Sequence, residues 1–132
     1  MIGLSLLIAG ALIKPKQLIA EDVVPKELIK EPTKDELIQK VYKYAKDYNV
    51  NPKVMTNVIN CENKEWDTNL QSRIINKKGL REESYGLSQI HLPSHPSINL
   101  DQATDPDFAI EFMAKNMSKG KASMWSCYNK IY

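Results

Sequence analysis

Apolar residues recur at helical spacing on both sides of segment 49–52, which reads Asn-Val-Asn-Pro. The stripe before this segment consists of Leu37, Ile38, Val41, Tyr44, Ala45 and Tyr48, and the stripe after it of Met55, Val58 and Ile59. Such spacing is typical of helices that bury one face against a core. Asn51 is predicted to cap the second helix, and Pro52 to occupy its first position, where proline is favoured. Two successive helices over residues 33–62 therefore constrain the fold of the chain.

The rest of the chain predicts further helices. Thr33 and Glu36 are expected to form a capping box at the start of the first helix. Additional helices are predicted over residues 85–90, after a cap at Asp105–Pro106, and over 121–131, with a long polar loop over 63–83. Neither an internal repeat nor a run of alternating strands is present, so we predict an all-α or α-dominated domain.

The N-terminal part of the chain differs in composition from the rest. Residues 2–13 are an apolar run, too short to span a bilayer but of the length of a signal-peptide core. We expect residues 1–13 to be a signal or membrane-anchor segment, with a buried or interfacial helix and a start-site artefact as alternatives. Prolines and alternating charges make residues 14–32 a predicted linker, and residues 33–132 the folded domain. This organisation indicates an extracytoplasmic protein, with membrane association through residues 1–13 as one expectation.

The charge pattern argues against a nucleic-acid partner. The chain carries 18 Lys and Arg against 16 Asp and Glu, a formal net charge of +2. The two signs are scattered along the whole length, and no basic run with interleaved aromatic residues is present. This distribution is typical of a solvated surface.

Glu62 continues the apolar stripe of the second helix at its C-terminal end. If that helix forms, the spacing places the Glu62 carboxyl on the face that packs against the core. Desolvation and the negative end of the helix dipole would both raise the pKa of the carboxyl, which makes Glu62 a candidate general acid. The alternative is an ordinary helix-terminal glutamate that points into water.

A second motif follows Glu62 after 22 residues: segment 84–90 reads Ser-Tyr-Gly-Leu-Ser-Gln-Ile. Glu62 and this segment together resemble the lysozyme-like lytic transglycosylases, over residues 37–132. The resemblance implies a lysozyme-like helical domain with a cleft, in which Glu62 is the catalytic acid. It departs from the family pattern at Asn63, where the family has Ser, at Ser88, where it has Met, and after Asn129, where the Ala-Gly-Pro continuation is missing.

The resemblance also implies substrate-binding residues. Ser84, Gly86 and Gln89 match positions that line the sugar cleft, and Tyr128 matches a tyrosine that orients the catalytic carboxyl. A glycine would let the sugar backbone approach, and a Gln amide can both donate to and accept from sugar hydroxyls. Tyr85 is a candidate for stacking on a sugar face. The tryptophans Trp66 and Trp125 are candidates for the same role or for the core.

The activity implied is cleavage of the β-1,4 bond between N-acetylmuramic acid and N-acetylglucosamine in peptidoglycan. In lytic transglycosylases one Glu acts as acid and then as base, the substrate's acetamido group stabilises the cation, and a 1,6-anhydro product forms without water. The other carboxylates near Glu62 in sequence lie in the predicted loop, and none is expected on a rigid element facing it: Glu65, Asp67, Glu82 and Glu83. No cofactor is expected, and we expect a monomer that acts on peptidoglycan strands.

Three other functions stay open. A lysozyme-type hydrolase would use Glu62 with a water held by Glu82 or Glu83. A non-catalytic cell-wall-binding or secretion-apparatus module would keep the cleft without turnover. A generic helical interaction domain would make the motif a coincidence.

The cysteines and histidines complete the candidate residues. Cys61 and Cys127 precede Glu62 and Tyr128, and in an exported chain they are predicted to form a disulfide, with two buried free thiols as the alternative. His91 and His95 are four residues apart, but the proline between them removes the helical spacing, and no further ligand completes a tetrahedral set. No metal site is therefore expected, and His91 is predicted to border the cleft.

Overall fold

The computed structural model describes residues 29–132. Contacts divide the chain into Met1–Pro32 and Thr33–Tyr132, and the second unit is described below. The signal or anchor segment predicted over 1–13, and the linker predicted over 14–32 as far as residue 28, lie outside the described residues. Within 29–132, no helix is both long enough and apolar enough to cross a membrane.

The first two predicted helices are confirmed. Helix α1 spans Lys34–Tyr48 and helix α2 spans Pro52–Glu62. Thr33 caps α1, since its hydroxyl accepts a hydrogen bond from the Glu36 backbone N–H at 3.2 Å, which is the hydroxyl half of the predicted capping box. Asn51 caps α2 by accepting from the backbone N–H of Lys53 at 2.9 Å. Both caps satisfy amides that the first helical turn leaves without partners.

The second half of the domain contains a small sheet and three further helices. Strands β1 (Ser84–Tyr85) and β2 (Ile90–His91) are followed by α3 (Leu100–Ala103), α4 (Pro106–Ser118) and α5 (Ser126–Ile131), with 3₁₀ turns at Leu92–Ser94 and Ala122–Met124. The part of the chain described is thus mostly helical, which confirms an α-dominated fold.

The short helix predicted over residues 85–90 is wrong. Ser84 pairs with His91 and Tyr85 with Ile90, so the segment is a tight antiparallel hairpin. Gly86 and Gln89 have φ angles of +80° and +48°. A right-handed helix cannot continue through such left-handed residues, and two of them within four positions reverse the chain instead.

The single helix predicted over residues 121–131 is interrupted at Trp125. This residue is extended, with φ −94° and ψ 119°, between the preceding 3₁₀ turn and α5. Its buried indole N–H donates to the backbone carbonyl of Ser88 at 2.8 Å. The chain therefore leaves the helical path to place the indole against the hairpin, where it fills the core and satisfies its donor.

The core lies where α1 packs against α4 and α2. Its fully buried side chains include Leu37, Val41, Met55, Val58, Ile59, Leu87, Ile110 and Met113. At the rim of the α1–α4 contact, Asp107 accepts hydrogen bonds from Lys40 at 3.1 Å and from the Tyr44 hydroxyl at 3.2 Å. The stripes that predicted the first two helices are thus the faces that build the core.

Gly86 allows the hairpin to approach α3. A Cβ at Gly86 would lie 2.0 Å from the backbone oxygen of Ala103, and its φ is +80°. Gly79 has the same φ but open space around the position of a Cβ, so it isolates the conformational part of the effect. Comparing Gly86 with Gly79 therefore separates the steric cost of a side chain from the cost of a left-handed backbone.

We expect Gly86→Ala to lower the free energy of unfolding by about 3 kcal/mol or more, because backbone atoms must shift in addition to the strain. Gly79→Ala should lower the free energy of unfolding by only about 1 kcal/mol. Urea unfolding of both variants measures the difference. Equal losses would show that the approach to Ala103 does not limit this position.

Candidate active site

Glu62 ends α2 with its carboxyl directed at the start of α5. Its Oε1 accepts a hydrogen bond from the backbone N–H of Cys127 at 3.1 Å. Val58 and Ile59, on the same stripe of α2, are fully buried, and Glu62 itself is half-buried. The predicted placement of a carboxyl at the edge of the core is confirmed.

A disulfide fixes α2 to α5 beside this carboxyl. Cys61 and Cys127 are bonded, with their Cα atoms 5.8 Å apart. The predicted pairing is therefore present in the structure, and it is compatible with an extracytoplasmic protein. Because Cys127 also donates its backbone N–H to Glu62, the disulfide holds the donor in place.

The pKa of Glu62 is raised above the ordinary value of a glutamate, chiefly because burial removes water from the carboxylate. The hydrogen bond from Cys127 opposes this rise, and so does the positive charge of Lys130. The negative charge of Glu82 adds to the rise, while the Ser126 hydroxyl opposes it. The net effect favours a protonated carboxyl at higher pH than for a glutamate in water.

Glu62 lies where two lobes of one cleft meet. The first lobe has a volume of about 420 Å³ and the second of about 340 Å³. Four residues line both lobes: Glu62, Glu82, Gln89 and Ser126. A chain-like ligand that fills both lobes would therefore pass directly over the Glu62 carboxyl.

Glu82 is a second carboxylate at this junction, and as expected of the carboxylates near Glu62 it does not belong to a helix or strand. It lies at the entry to β1, and its backbone N–H donates to the carbonyl of Ile74 at 2.8 Å. The buried Ser84 hydroxyl donates to Glu82 Oε1 at 2.6 Å. The sequence carries no local signal for this position, because the path of a long loop is set by contacts with residues distant along the chain.

Ser84 and Gln89 line the cleft as predicted, but each is engaged with the protein. Ser84 holds Glu82, as described above. The Gln89 side-chain Nε2 donates to the carbonyls of Leu70 at 3.2 Å and Gly86 at 2.9 Å. The side-chain amide of Gln89 thus connects the long loop, at Leu70, to the hairpin turn, at Gly86.

The other predicted binding residues lie elsewhere. Gly86 is buried against Ala103, so its lack of a side chain serves packing rather than access for a sugar. Tyr85 is half-buried and packs on the core, and the Tyr128 ring lies 5.2 Å from that of Tyr132. Neither tyrosine lines the two lobes, and the backbone of Cys127 supplies the hydrogen bond to Glu62 that Tyr128 was expected to provide.

Several residues that line the first lobe were not predicted to lie together. The first lobe includes His91, which was predicted to border the cleft, together with Ser94, His95, Phe112, Met124, Trp125 and Ser126. They come from β2, the two 3₁₀ turns and the residues that follow these turns, α4 and the start of α5, which meet only in the folded chain. Trp125 is both a core residue and part of the wall, whereas Trp66 is buried with its indole N–H bonded to Asn60.

Asn63, where the sequence departs from the lytic transglycosylase pattern, is fully buried. Its Nδ2 donates to the carbonyls of Asp67 at 2.7 Å and Gly86 at 3.1 Å, and its Oδ1 accepts from the Asp67 backbone N–H at 3.0 Å. One side chain thus connects the end of α2, the start of the loop and the hairpin turn. This departure from the family pattern has a structural role next to the acid.

The histidines have ordinary partners. His91 Nδ1 lies 2.8 Å from the Ser94 hydroxyl, and His95 stacks edge-on against Phe112. Among residues 29–132, no group of three or more His, Cys, Asp or Glu side chains is placed to hold a metal ion.

Comparison with known proteins adds no relative of this chain. No family model, no curated protein and no solved structure matches it. The resemblance to lytic transglycosylases therefore depends on Glu62 and segment 84–90, and a function has to be argued from the geometry of the cleft.

The raised pKa of Glu62 predicts a pH-dependent effect on stability. A carboxyl whose pKa is higher in the folded than in the unfolded state stabilises the fold fully below the unfolded value, and this contribution is lost as the pH rises through the folded value. Replacing Glu62 by Gln removes that loss. The melting temperature of Glu62→Gln minus that of the wild type should therefore increase as the pH rises above about 4, the ordinary pKa of a glutamate.

Thermal unfolding at several pH values measures this difference. Glu83→Gln, which removes an exposed carboxyl nearby, serves as the control and should not show the same increase. A difference for Glu62→Gln that stays constant or falls with pH would contradict the assignment of a desolvated carboxyl.

Proposed function

We propose that the chain is an extracytoplasmic enzyme that cleaves the β-1,4 bond between N-acetylmuramic acid and N-acetylglucosamine in peptidoglycan, through a lysozyme-like helical domain. The observation that carries this proposal is the position of Glu62. Its carboxyl is desolvated, held by a backbone donor and located at the junction of a two-lobed cleft. An acid that donates a proton to a bond within a polymer needs room for the polymer on both sides.

The first step uses Glu62 as an acid. With sugars in both lobes, the Glu62 proton passes to the glycosidic oxygen as the bond from that oxygen to the anomeric carbon breaks. The raised pKa of Glu62 keeps this proton available. The acetamido oxygen of the muramic acid residue then bonds to the anomeric carbon and takes up the developing positive charge.

The second step uses Glu62 as a base. After the proton has left, the backbone N–H of Cys127 and the hydroxyl of Ser126 stabilise the carboxylate. It then accepts the proton of the sugar's 6-hydroxyl while that oxygen bonds to the anomeric carbon and displaces the acetamido oxygen. The product ends in 1,6-anhydro-muramic acid, and no water is consumed.

The position of Glu82 supports a second candidate function, that of a lysozyme-type hydrolase. It lines both lobes beside Glu62, and the hydrogen bond from Ser84 fixes one of its oxygens. A carboxylate placed there supplies the general base that hydrolysis requires for the attacking water. Under this candidate Glu62 keeps its role as acid, and the product has a reducing end.

Both candidates predict that Glu62→Gln loses wall-degrading activity at least 100-fold, since general acid catalysis contributes about 10²- to 10⁴-fold. Release of soluble fragments from purified peptidoglycan measures this loss, with circular dichroism to verify the fold. Activity within tenfold of the wild type would remove Glu62 from the mechanism. A wild-type protein that binds peptidoglycan without releasing fragments would identify a wall-binding module instead.

Mass spectrometry of the products, combined with Glu82→Gln, separates the two reactions. The non-hydrolytic reaction predicts products lighter by one water than those of a lysozyme digest, and activity that survives Glu82→Gln. Reducing-end muramic acid together with loss of activity in Glu82→Gln would establish hydrolysis. Glu36→Gln is the control, because it removes an exposed carboxyl that lines neither lobe.

A further inference from the structure

Residues 74–82 form a short two-stranded ribbon that ends in a fixed turn. The backbone N–H of Asn76 donates to the carbonyl of Leu80 at 2.8 Å and closes the turn. The Asn76 side-chain oxygen accepts from the backbone N–H groups of Lys78 and Leu80, each at 2.9 Å. The turn is therefore preformed, and its backbone needs little further ordering to meet a partner.

Three aliphatic side chains of the ribbon are exposed to solvent. Ile74 and Leu80 are each 61% exposed, and Ile75 is 58% exposed. Ile74 and Leu80 line a groove on one side of the ribbon, with a volume of about 540 Å³, whereas Ile75 does not line it. Because neighbouring side chains of an extended strand point to opposite faces, aliphatic groups lie on both faces of the ribbon.

The turn of the ribbon carries unpaired positive charge. Residues 68–81 contain four cations and no acid. Two of the four, Lys77 and Lys78, are exposed at the turn, and neither forms an ion pair with any residue that the structure describes. Arg73, by contrast, is paired with Glu65 at 3.4 Å. The two lysines are thus the charges that a partner of the turn would meet first.

The base of the ribbon has the opposite charge. Glu82 ends the ribbon, and the exposed Glu83 follows it. An extended chain advances about 3.3 Å per residue, so these carboxylates lie roughly 10 Å behind the turn. A negatively charged surface would therefore attract the turn and repel the base, which makes the turn the leading end.

We propose that the turn of this ribbon inserts into the headgroup region of a bilayer that contains anionic lipids. Lys77 and Lys78 meet the lipid phosphates, and the three exposed aliphatic side chains enter the boundary between headgroups and acyl chains. The long lysine side chains can keep their ammonium groups at the phosphates while their stems lie along apolar surface.

The presence of aliphatic groups on both faces favours a bilayer over a protein partner. A groove on a protein would cover one face of the ribbon and leave the aliphatic groups of the other face in water. A lipid interface surrounds an inserted turn and removes both faces from water, which burial of apolar surface favours. Since Glu82 also lines both lobes of the cleft, insertion would hold the cleft close to the membrane surface.

Fluorescence from a tryptophan placed in the ribbon tests insertion directly. In the full chain, Leu80→Trp and Ile75→Trp should each emit at shorter wavelength when vesicles of equal parts phosphatidylglycerol and phosphatidylcholine are added, because the indole leaves water for the lipid interface. The wild type, in which Trp66 and Trp125 are buried, gives the background signal. Leu100→Trp, at an exposed aliphatic position on α3, is the control and should not shift.

The dependence on charge is measured in the Leu80→Trp background. Replacing Lys77 and Lys78 by Gln should raise the lipid concentration at half of the shift about thirtyfold, since each lysine near an anionic surface contributes about fivefold. Lys46→Gln combined with Lys53→Gln is the matched control, because it removes the same charge from exposed positions on α1 and α2. The control should change the lipid concentration far less.

The absence of a shift at both positions 75 and 80 on anionic vesicles would overturn the proposal. A shift at only one of the two would also overturn it, and would indicate a one-sided contact such as that of a protein. Equal shifts with vesicles of phosphatidylcholine alone, or equal effects of the two pairs of lysine substitutions, would overturn the role of the lysines and with it the anionic bilayer. None of these outcomes depends on cleavage of peptidoglycan, so the proposed function is tested separately.

Discussion

The buried side-chain amide of Asn63 is the interaction on which the candidate site depends. It bonds to both backbone groups of Asp67 and to the carbonyl of Gly86, 23 positions along the chain, so the end of α2 and the start of the loop are joined to the hairpin turn one residue after Glu62. A buried amide left without a hydrogen-bond partner in this position would lower the free energy of unfolding by about 1–3 kcal/mol. The three bonds of Asn63 therefore depend on one another. The loop that begins at Asn63 returns to the hairpin and brings Glu82 next to Glu62. The cleft exists because this loop is fixed at both ends.

The chemistry of Glu62 follows from two opposing effects. Burial and the nearby Glu82 raise its pKa, whereas Cys127, Lys130 and Ser126 stabilise the carboxylate. The proposed reaction, in which Glu62 donates and then accepts a proton, needs both effects, because an effect of one sign alone would trap the carboxyl in one protonation state. The disulfide contributes by holding α5, and with it the Cys127 donor, against the end of α2.

The sequence was sufficient to predict the structure where the information lay in a local pattern. The stripes and caps of α1 and α2, the placement of Glu62 and the pairing of Cys61 with Cys127 were all predicted. The hairpin at 84–91 was missed because apolar residues and a Gln are compatible with a helical turn, and only the positive φ angles of Gly86 and Gln89 show otherwise. Gly86 was assigned to the cleft because nothing local indicates its contact with Ala103, 17 positions away. The role of Glu82 was missed for the same reason: the fold of a long loop depends on contacts that no periodicity reports.

The central claim is that Glu62 is a desolvated carboxyl that shares the cleft with Glu82. Titration of the Glu62 side-chain carboxyl by ¹³C NMR, in the wild type and in Glu82→Gln, tests it most directly. We expect a pKa above the ordinary value of a glutamate in the wild type, and a lower pKa in Glu82→Gln because a like charge has been removed. An ordinary or depressed pKa in the wild type, unaffected by Glu82→Gln, would contradict this account.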